Sequence, residues 1–139
     1  IIEILRQRSR PYLFSNTLCP VVVVAAMKAF EMIAGTTALR DKLEENTMYF
    51  REKMTAAGFD IKKGVHPIVP IMLGDARLAS DMARDMYSRG IYVVGFSYPV
   101  VPKEQARIRV QLSAAHDRAQ IDKAIDAFIE VGKKHGVIK

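Results

Sequence analysis

Arg109 sits inside the run Ala106-Arg-Ile-Arg-Val-Gln-Leu112, an otherwise strand-like apolar stretch in which a cation calls for an anionic partner. Alternation with a period of two puts Arg107, Arg109 and Gln111 on one face and Ile108, Val110 and Leu112 on the other. The chemistry open to that polar face is anion recognition. The planar fork of an arginine makes two parallel charge-assisted hydrogen bonds to a carboxylate and fixes its orientation, which a lysine ammonium does not do. The same pattern also describes an edge strand with a solvated basic face or structural ion pairs, and spacing alone leaves both readings open.

Other residues offer less. Ser15-Asn16-Thr17 precedes an expected helix start, where free backbone N–H groups and the positive end of the helix dipole favour an anion. Either Ser15 donates to a phosphate there, or the three residues cap the helix. Tyr98-Pro99-Val100-Val101-Pro102 has two prolines and reads either as a loop that positions side chains or as a rigid connector. Asp75, after Gly74, reads as a helix cap and not as a general base. His66 and His116 have no nucleophile or carboxylate at triad-like spacing, which argues against catalysis, and His135 reads as a solvated tail residue. Cys19 falls in the first turn of a helix among apolar neighbours, the setting of an inert, buried thiol. A single cysteine forms no internal disulfide, and without Cys/His clusters no metal site is expected.

The elements that must hold these residues alternate in type. Ile1 to Arg8 looks helical, Ser9 to Thr17 a loop, and a second helix runs from a Thr17 cap to about Ala34, with Pro20 in its tolerant first turn and Gly35 interrupting it. From Thr37 the residues Leu39, Leu43, Met48, Phe50 and Met54 track one face of a third helix that Gly58 ends. Pro67–Leu73 reads as a buried strand, Ala76–Arg89 as a helix closed by Gly90, Ile91–Gly95 and Arg107–Leu112 as further strands, and Asp117 to about His135 as a closing helix capped by Asp117. Strands separated by helices or long connections predict a small α/β sandwich, one sheet covered by helices.

Composition bounds the function. A chain of 139 residues, half of them apolar, can bury a real core in one compact domain. No apolar run approaches the roughly 20 residues of a membrane helix, since the longest, around Pro20–Met27, is closed by Lys28. The net charge of +6 comes from Lys and Arg spread along the chain and interleaved with Asp and Glu. That pattern argues against nucleic-acid binding and fits attraction of a small anionic substrate. A reducing compartment is expected from the cysteine usage.

The segments Leu5-Arg-Gln-Arg-Ser-Arg-Pro-Tyr-Leu-Phe-Ser-Asn16, Ile71-Met-Leu-Gly-Asp-Ala76 and Gly95-Phe-Ser-Tyr-Pro-Val-Val-Pro-Lys103, with the strand that carries Arg109, resemble the α-oxoamine synthases among the fold-type-I pyridoxal-phosphate (PLP) enzymes. The similarity runs in order along essentially the whole chain. The Pro-x-Val-Pro loop and the following arginine are shared across the group. Arg-Gln-Arg-Ser-Arg-Pro and Gly-Phe-Ser-Tyr-Pro-Val-Val-Pro point to the members that interconvert glycine plus acetyl-CoA with 2-amino-3-ketobutyrate plus CoA in threonine breakdown.

The resemblance implies the C-terminal small α/β sandwich domain of a fold-type-I PLP-dependent transferase, preceded by a long helical segment. Residues 1–34 would be the end of the large domain and an inter-domain helix, and residues 35–139 the small domain. It implies a homodimer with a shared active site, in the cytoplasm or, in a eukaryote, the mitochondrion. Arg109 matches the arginine that holds the amino-acid carboxylate. Ser15 matches the serine that reaches across the dimer to the cofactor phosphate, with Phe14 beside it. The Schiff-base lysine falls, by the same resemblance, just upstream of the position matching Ile1, and none of the ten lysines here has its context. The segment by itself is therefore expected to be inactive. Another oxoamine synthase with a different acyl-CoA, or a non-catalytic dimerisation module of the same fold, are the alternative expectations.

Overall fold

A computed structural model describes all residues, Ile1–Lys139, which divide into two compact units, Ile1–Thr37 and Ala38–Lys139.

The first unit is helical: α1 spans Ile2–Arg8, α2 Arg10–Phe14 and α3 Pro20–Gly35. The stretch expected to be loop after Arg8 thus contains a short helix, because Pro11 falls at its start, where a missing N–H costs nothing. The α3 start is also corrected. Its N-cap is Cys19, with Pro20 following, so Thr17 caps nothing and Ser15 is instead the C-cap of α2. Cys19 is exposed and not buried. Apolar neighbours in sequence do not bury a thiol where none of the three helices of its unit buries a residue. No single helix of the chain is long and apolar enough to cross a membrane.

The second unit runs α4 (Ala38–Ala56), β1 (Ile68–Gly74), α5 (Ala76–Ser88), β2 (Val94–Phe96), β3 (Ala106–Gln111) and α6 (Arg118–Lys134). The strands form one sheet in the order β1-β3-β2, with both outer strands antiparallel to β3. One face of this sheet, carrying Val69, Ile71, Ile108 and Val110, joins Phe50 and Met54 of α4, Met82 and Met86 of α5, and Ile121, Ile125, Phe128 and Val131 of α6 in a single core. This is the one-sheet, helix-covered sandwich that the element order predicts.

Three local devices set these elements. Asp75 caps α5 by accepting from the Leu78 N–H at 2.7 Å. Asp117 and Gln120 close a full capping box at the start of α6. Gly95 lets α5 approach β2, since a Cβ there would lie 2.9 Å from the Ala79 carbonyl oxygen. The buried face of α4 differs from the one expected: Leu39 and Met48 are exposed, and Asn46, Thr47, Phe50, Arg51 and Met54 face inward. Polar residues occupy the inner stripe because they have partners. Asn46 donates to the carbonyls of Ser113 and His116. The Arg51 guanidinium donates to those of Lys62, His66 and Ile68, tying down the connector before β1. Burial without a carboxylate beside it pushes the Arg51 pKa down.

His135 is not a solvated tail residue. Its Nε2 lies 2.8 Å from Asp85 Oδ2, which also accepts from Lys134 Nζ at 2.7 Å, so the last turn of α6 is clasped to α5. The hydrogen bonds from Lys134 and His135 hold the Asp85 carboxyl down to about 2, below its ordinary 3.8. A depressed carboxylate pKa stabilises the fold fully above the ordinary value, and that stabilisation is lost as pH falls through the folded one. Asp85→Asn is therefore expected to be less stable than the wild type at pH 5–7, with the two curves converging towards about pH 2. Denaturant midpoints measured across that range check it, and a pH-independent difference would show that the clasp is not ionic.

Candidate substrate-anion site

None of α4, α5 and α6 covers the second face of the sheet, the one opposite the core. Outward-facing Arg107, Arg109 and Gln111 lie beside Ile68, Pro70 and Met72 of β1 and Val94 and Phe96 of β2. Arg109 pairs across to Pro70 on one side and Val94 on the other, so it stands on the central strand. The edge-strand alternative fails on that register. The ion-pair alternative fails too, because the Arg109 guanidinium enters no salt bridge or hydrogen bond within the chain. Its Cζ lies 4.3 Å from the centre of the Phe96 ring. Arg107, one pleat away, is engaged differently: Nε donates to the Gln105 carbonyl at 3.1 Å and Nη2 reaches the Gln105 side chain at 3.5 Å.

Arg109 lines a shallow cleft of about 320 Å³ with Ile68, Tyr92, Val94, Phe96 and Gln111. A fork with its N–H donors free, walled by apolar side chains and rings, can take a small carboxylate in a partly desolvated setting, where charge-assisted bonds are strongest. Phe96 is the functional candidate that the sequence reading missed. The signal lay in the pairing of β2 with β3, which puts Phe96 opposite Arg107 and diagonal to Arg109 on the same face.

A larger cleft, about 460 Å³, opens between the β1–α5 turn and the Tyr98–Glu104 loop. The loop is held as the proline content predicts: Val101 is buried, and the N–H groups of Val100 and Val101 both donate to the Ser97 carbonyl. Tyr98 stays exposed, with Lys103 Nζ 5.5 Å from its ring centre. The remaining histidines are structural. His66 Nδ1 accepts from the Ile68 N–H, and His116 Nδ1 from the Ser113 N–H.

Ser15 and Phe14 belong to the first unit and adjoin each other at the end of α2. The Ser15 hydroxyl is exposed and donates only to its neighbour Asn16 Oδ1, at 3.3 Å. Phe14 is exposed, with the Arg10 guanidinium 5.8 Å from its ring centre. Neither sits at the start of a helix, so any anion contact by Ser15 is through its hydroxyl and not through a helix N-terminus.

Residues 1–128 match the family of class I and II aminotransferases. The chain belongs to that family. Among family relatives it is 56% identical over 138 residues to the mitochondrial 2-amino-3-ketobutyrate coenzyme A ligase of Homo sapiens, covering 99% of this chain and 33% of that protein. Against the ligase of the same name from Escherichia coli K12 it is 55% identical, covering 99% of this chain and 35% of that protein. The chain thus spans about a third of the length of these curated relatives. In three dimensions it resembles a serine palmitoyltransferase from S. paucimobilis solved with bound PLP and myriocin, at a TM-score of 0.88 and 29% identity, covering 98% of this chain and 35% of that one. The small antiparallel sheet with its helical cover is accordingly the fold of a family of PLP enzymes, and Arg109 lies on the face of that sheet opposite the α4–α6 core.

Proposed function

We propose that these residues serve as the C-terminal third of a PLP-dependent acyltransferase that interconverts glycine plus acetyl-CoA with 2-amino-3-ketobutyrate plus CoA. The observation that carries this reading is the identity of about 55% to ligases of that name along 99% of the chain. The open fork of Arg109 supports it from the side of the chemistry, because every substrate of such a reaction that enters at the amino-acid end carries a carboxylate.

The residues present fit the outer contacts of PLP and its substrate. Arg109, whose guanidinium has a ring beside it but no hydrogen-bond partner, would hold the amino-acid carboxylate and so orient the α-carbon. Ser15, whose exposed hydroxyl is bonded only to Asn16, donates to the cofactor phosphate, with Phe14 beside it, from one subunit of a homodimer to the other. Bound PLP supplies the electron sink for the carbanion formed next to that carboxylate. The covalent anchor of PLP, a lysine, is assigned by the family resemblance to a stretch other than these residues. In this reading Ile1 to about Ala34 close the large domain and bridge to the small one, which begins near Gly35. The basic balance of the chain, +6 overall, favours the approach of an anionic acyl-CoA. The compartment follows the host, with relatives both mitochondrial and bacterial.

A direct assay tests the reading. The full-length enzyme, supplied with PLP, is expected to release free CoA thiol from acetyl-CoA only when glycine is present. Turnover should fall as the acyl chain lengthens or when glycine is replaced by alanine or serine. Equal or faster turnover with a long acyl-CoA or another amino acid would assign the chain to a different oxoamine synthase. No turnover with any pair would leave a non-catalytic module of the fold.

A further inference from the structure

Arg109 differs from the arginines that are tied by hydrogen bonds, and it shares its mode of restraint with Arg118, whose Cζ lies 3.7 Å from the centre of the Tyr49 ring. Arg107 is tied by Gln105, Arg89 by Glu130 and Arg51 by three carbonyls, and each engages N–H donors in the process. The Arg109 guanidinium, on an exposed strand position, is held by a ring alone, with Cζ 4.3 Å from the Phe96 centroid. A π face attracts the cation electrostatically without accepting a conventional hydrogen bond from it. All donors of the fork remain available to a ligand, while the long side chain is no longer free to sample its rotamers. A carboxylate placed where Phe96 stands would hold the arginine more tightly but would compete with substrate for the same N–H groups.

We propose that Phe96 is the positioning residue of the Arg109 clamp: its ring pre-orients the guanidinium so that the amino-acid carboxylate binds an ordered fork. The register enforces this arrangement. Phe96 lies diagonal to Arg109 across the β2–β3 ladder, and β2 itself is seated by the close approach of Gly95 to the Ala79 carbonyl. The inference rests on the assignment of Arg109 to the carboxylate and adds the residue through which that assignment becomes selective.

The test is a double-mutant cycle on the full-length enzyme, with KM for glycine, KM for acetyl-CoA and kcat read for each variant. Phe96→Leu, with Phe96→Met as a second ring-free variant, is expected to raise the glycine KM by roughly three- to tenfold, with kcat and the acetyl-CoA KM little changed. Phe96→Tyr, which keeps the π face, restores the wild-type KM. In an Arg109→Ala background Phe96→Leu adds nothing. The proposal is overturned if Phe96→Tyr is as impaired as Phe96→Leu, or if Phe96→Leu costs the same with and without Arg109, since either marks Phe96 as packing only. If Arg109→Ala itself leaves the glycine KM unchanged, the carboxylate assignment falls and takes the positioning role with it, a result distinct from failure of Phe96 alone.

Discussion

Arg109→Ala in the full-length enzyme is expected to raise the glycine KM by about ten- to a hundredfold, from the loss of roughly 1.5–3 kcal/mol of hydrogen bonding to a charged group. The effect should fall mainly on KM. A carboxylate that keeps its full charge throughout the reaction is held in ground state and transition state alike, and removal of such uniform binding raises KM more than it lowers kcat. Arg109→Lys keeps the charge but loses the fork, so it should recover only part of the loss and show greater tolerance of other amino acids. Arg107→Ala is the internal control. That guanidinium is already occupied by Gln105, so its removal should change the glycine KM less than about twofold if one arginine of the pair is the clamp. A glycine KM within threefold of wild type for Arg109→Ala, or an equal loss for Arg107→Ala, would sink the assignment.

That the candidate arginine was legible at all follows from the two-residue period of a strand. Ala106, Ile108 and Val110 are buried while Arg109 and Gln111 are exposed, the alternation that the sequence carries. The period cannot reveal which neighbours a strand has, so neither the central place of β3 nor the ring at Phe96 was visible before pairing was known. The same limit displaced β2. Residues 91–95 have strand-like side chains, but the Ile91 N–H is used to close the end of α5 on the Met86 carbonyl, and ladder pairing begins only at Val94. Helix caps with short polar side chains were read correctly at Asp75 and Asp117, because the acceptor and its N–H donors are three residues apart in the chain. His135 was misread because its partner Asp85 is distant in sequence and adjacent only after α5 and α6 pack. In α4 the apolar spacing pointed to Leu39 and Met48. Buried Asn46 and Arg51 outrank them because distant backbone carbonyls accept from the Asn46 amide and from both Arg51 Nη groups, leaving only Arg51 Nε without a partner, information that periodicity does not contain.

Phe128→Ala is expected to destabilise the small α/β unit by about 3–5 kcal/mol, the range for deleting a buried aromatic ring. Phe128 is fully buried on α6 and sits between two other rings, edge-to-face with Phe50 of α4 at 6.3 Å and with Phe59 of the following connector at 6.2 Å. Its removal therefore forfeits transfer free energy and two aromatic contacts, and it opens a cavity shared by the two helices and the connector. Collapse cannot heal that cavity cheaply. Phe59 is already pressed against the backbone of Gly132, where a Cβ would lie only 2.5 Å from its ring, so it has a fixed seat on the far side. With total stabilities of about 5–15 kcal/mol for such domains, the loss is a large fraction of the whole. Denaturant unfolding should show the midpoint falling sharply at an unchanged m-value, as for a weakened but still cooperative fold. Gly132→Ala offers the opposite perturbation at the same cluster, with overpacking expected to cost about 1–3 kcal/mol. Because the two sites share Phe59, their effects should not add: the space vacated by Phe128 lets the ring retreat from the new methyl, so the double variant should lose less than the sum. Strict additivity, or a loss under about 1 kcal/mol for Phe128→Ala, would place the centre of this core elsewhere.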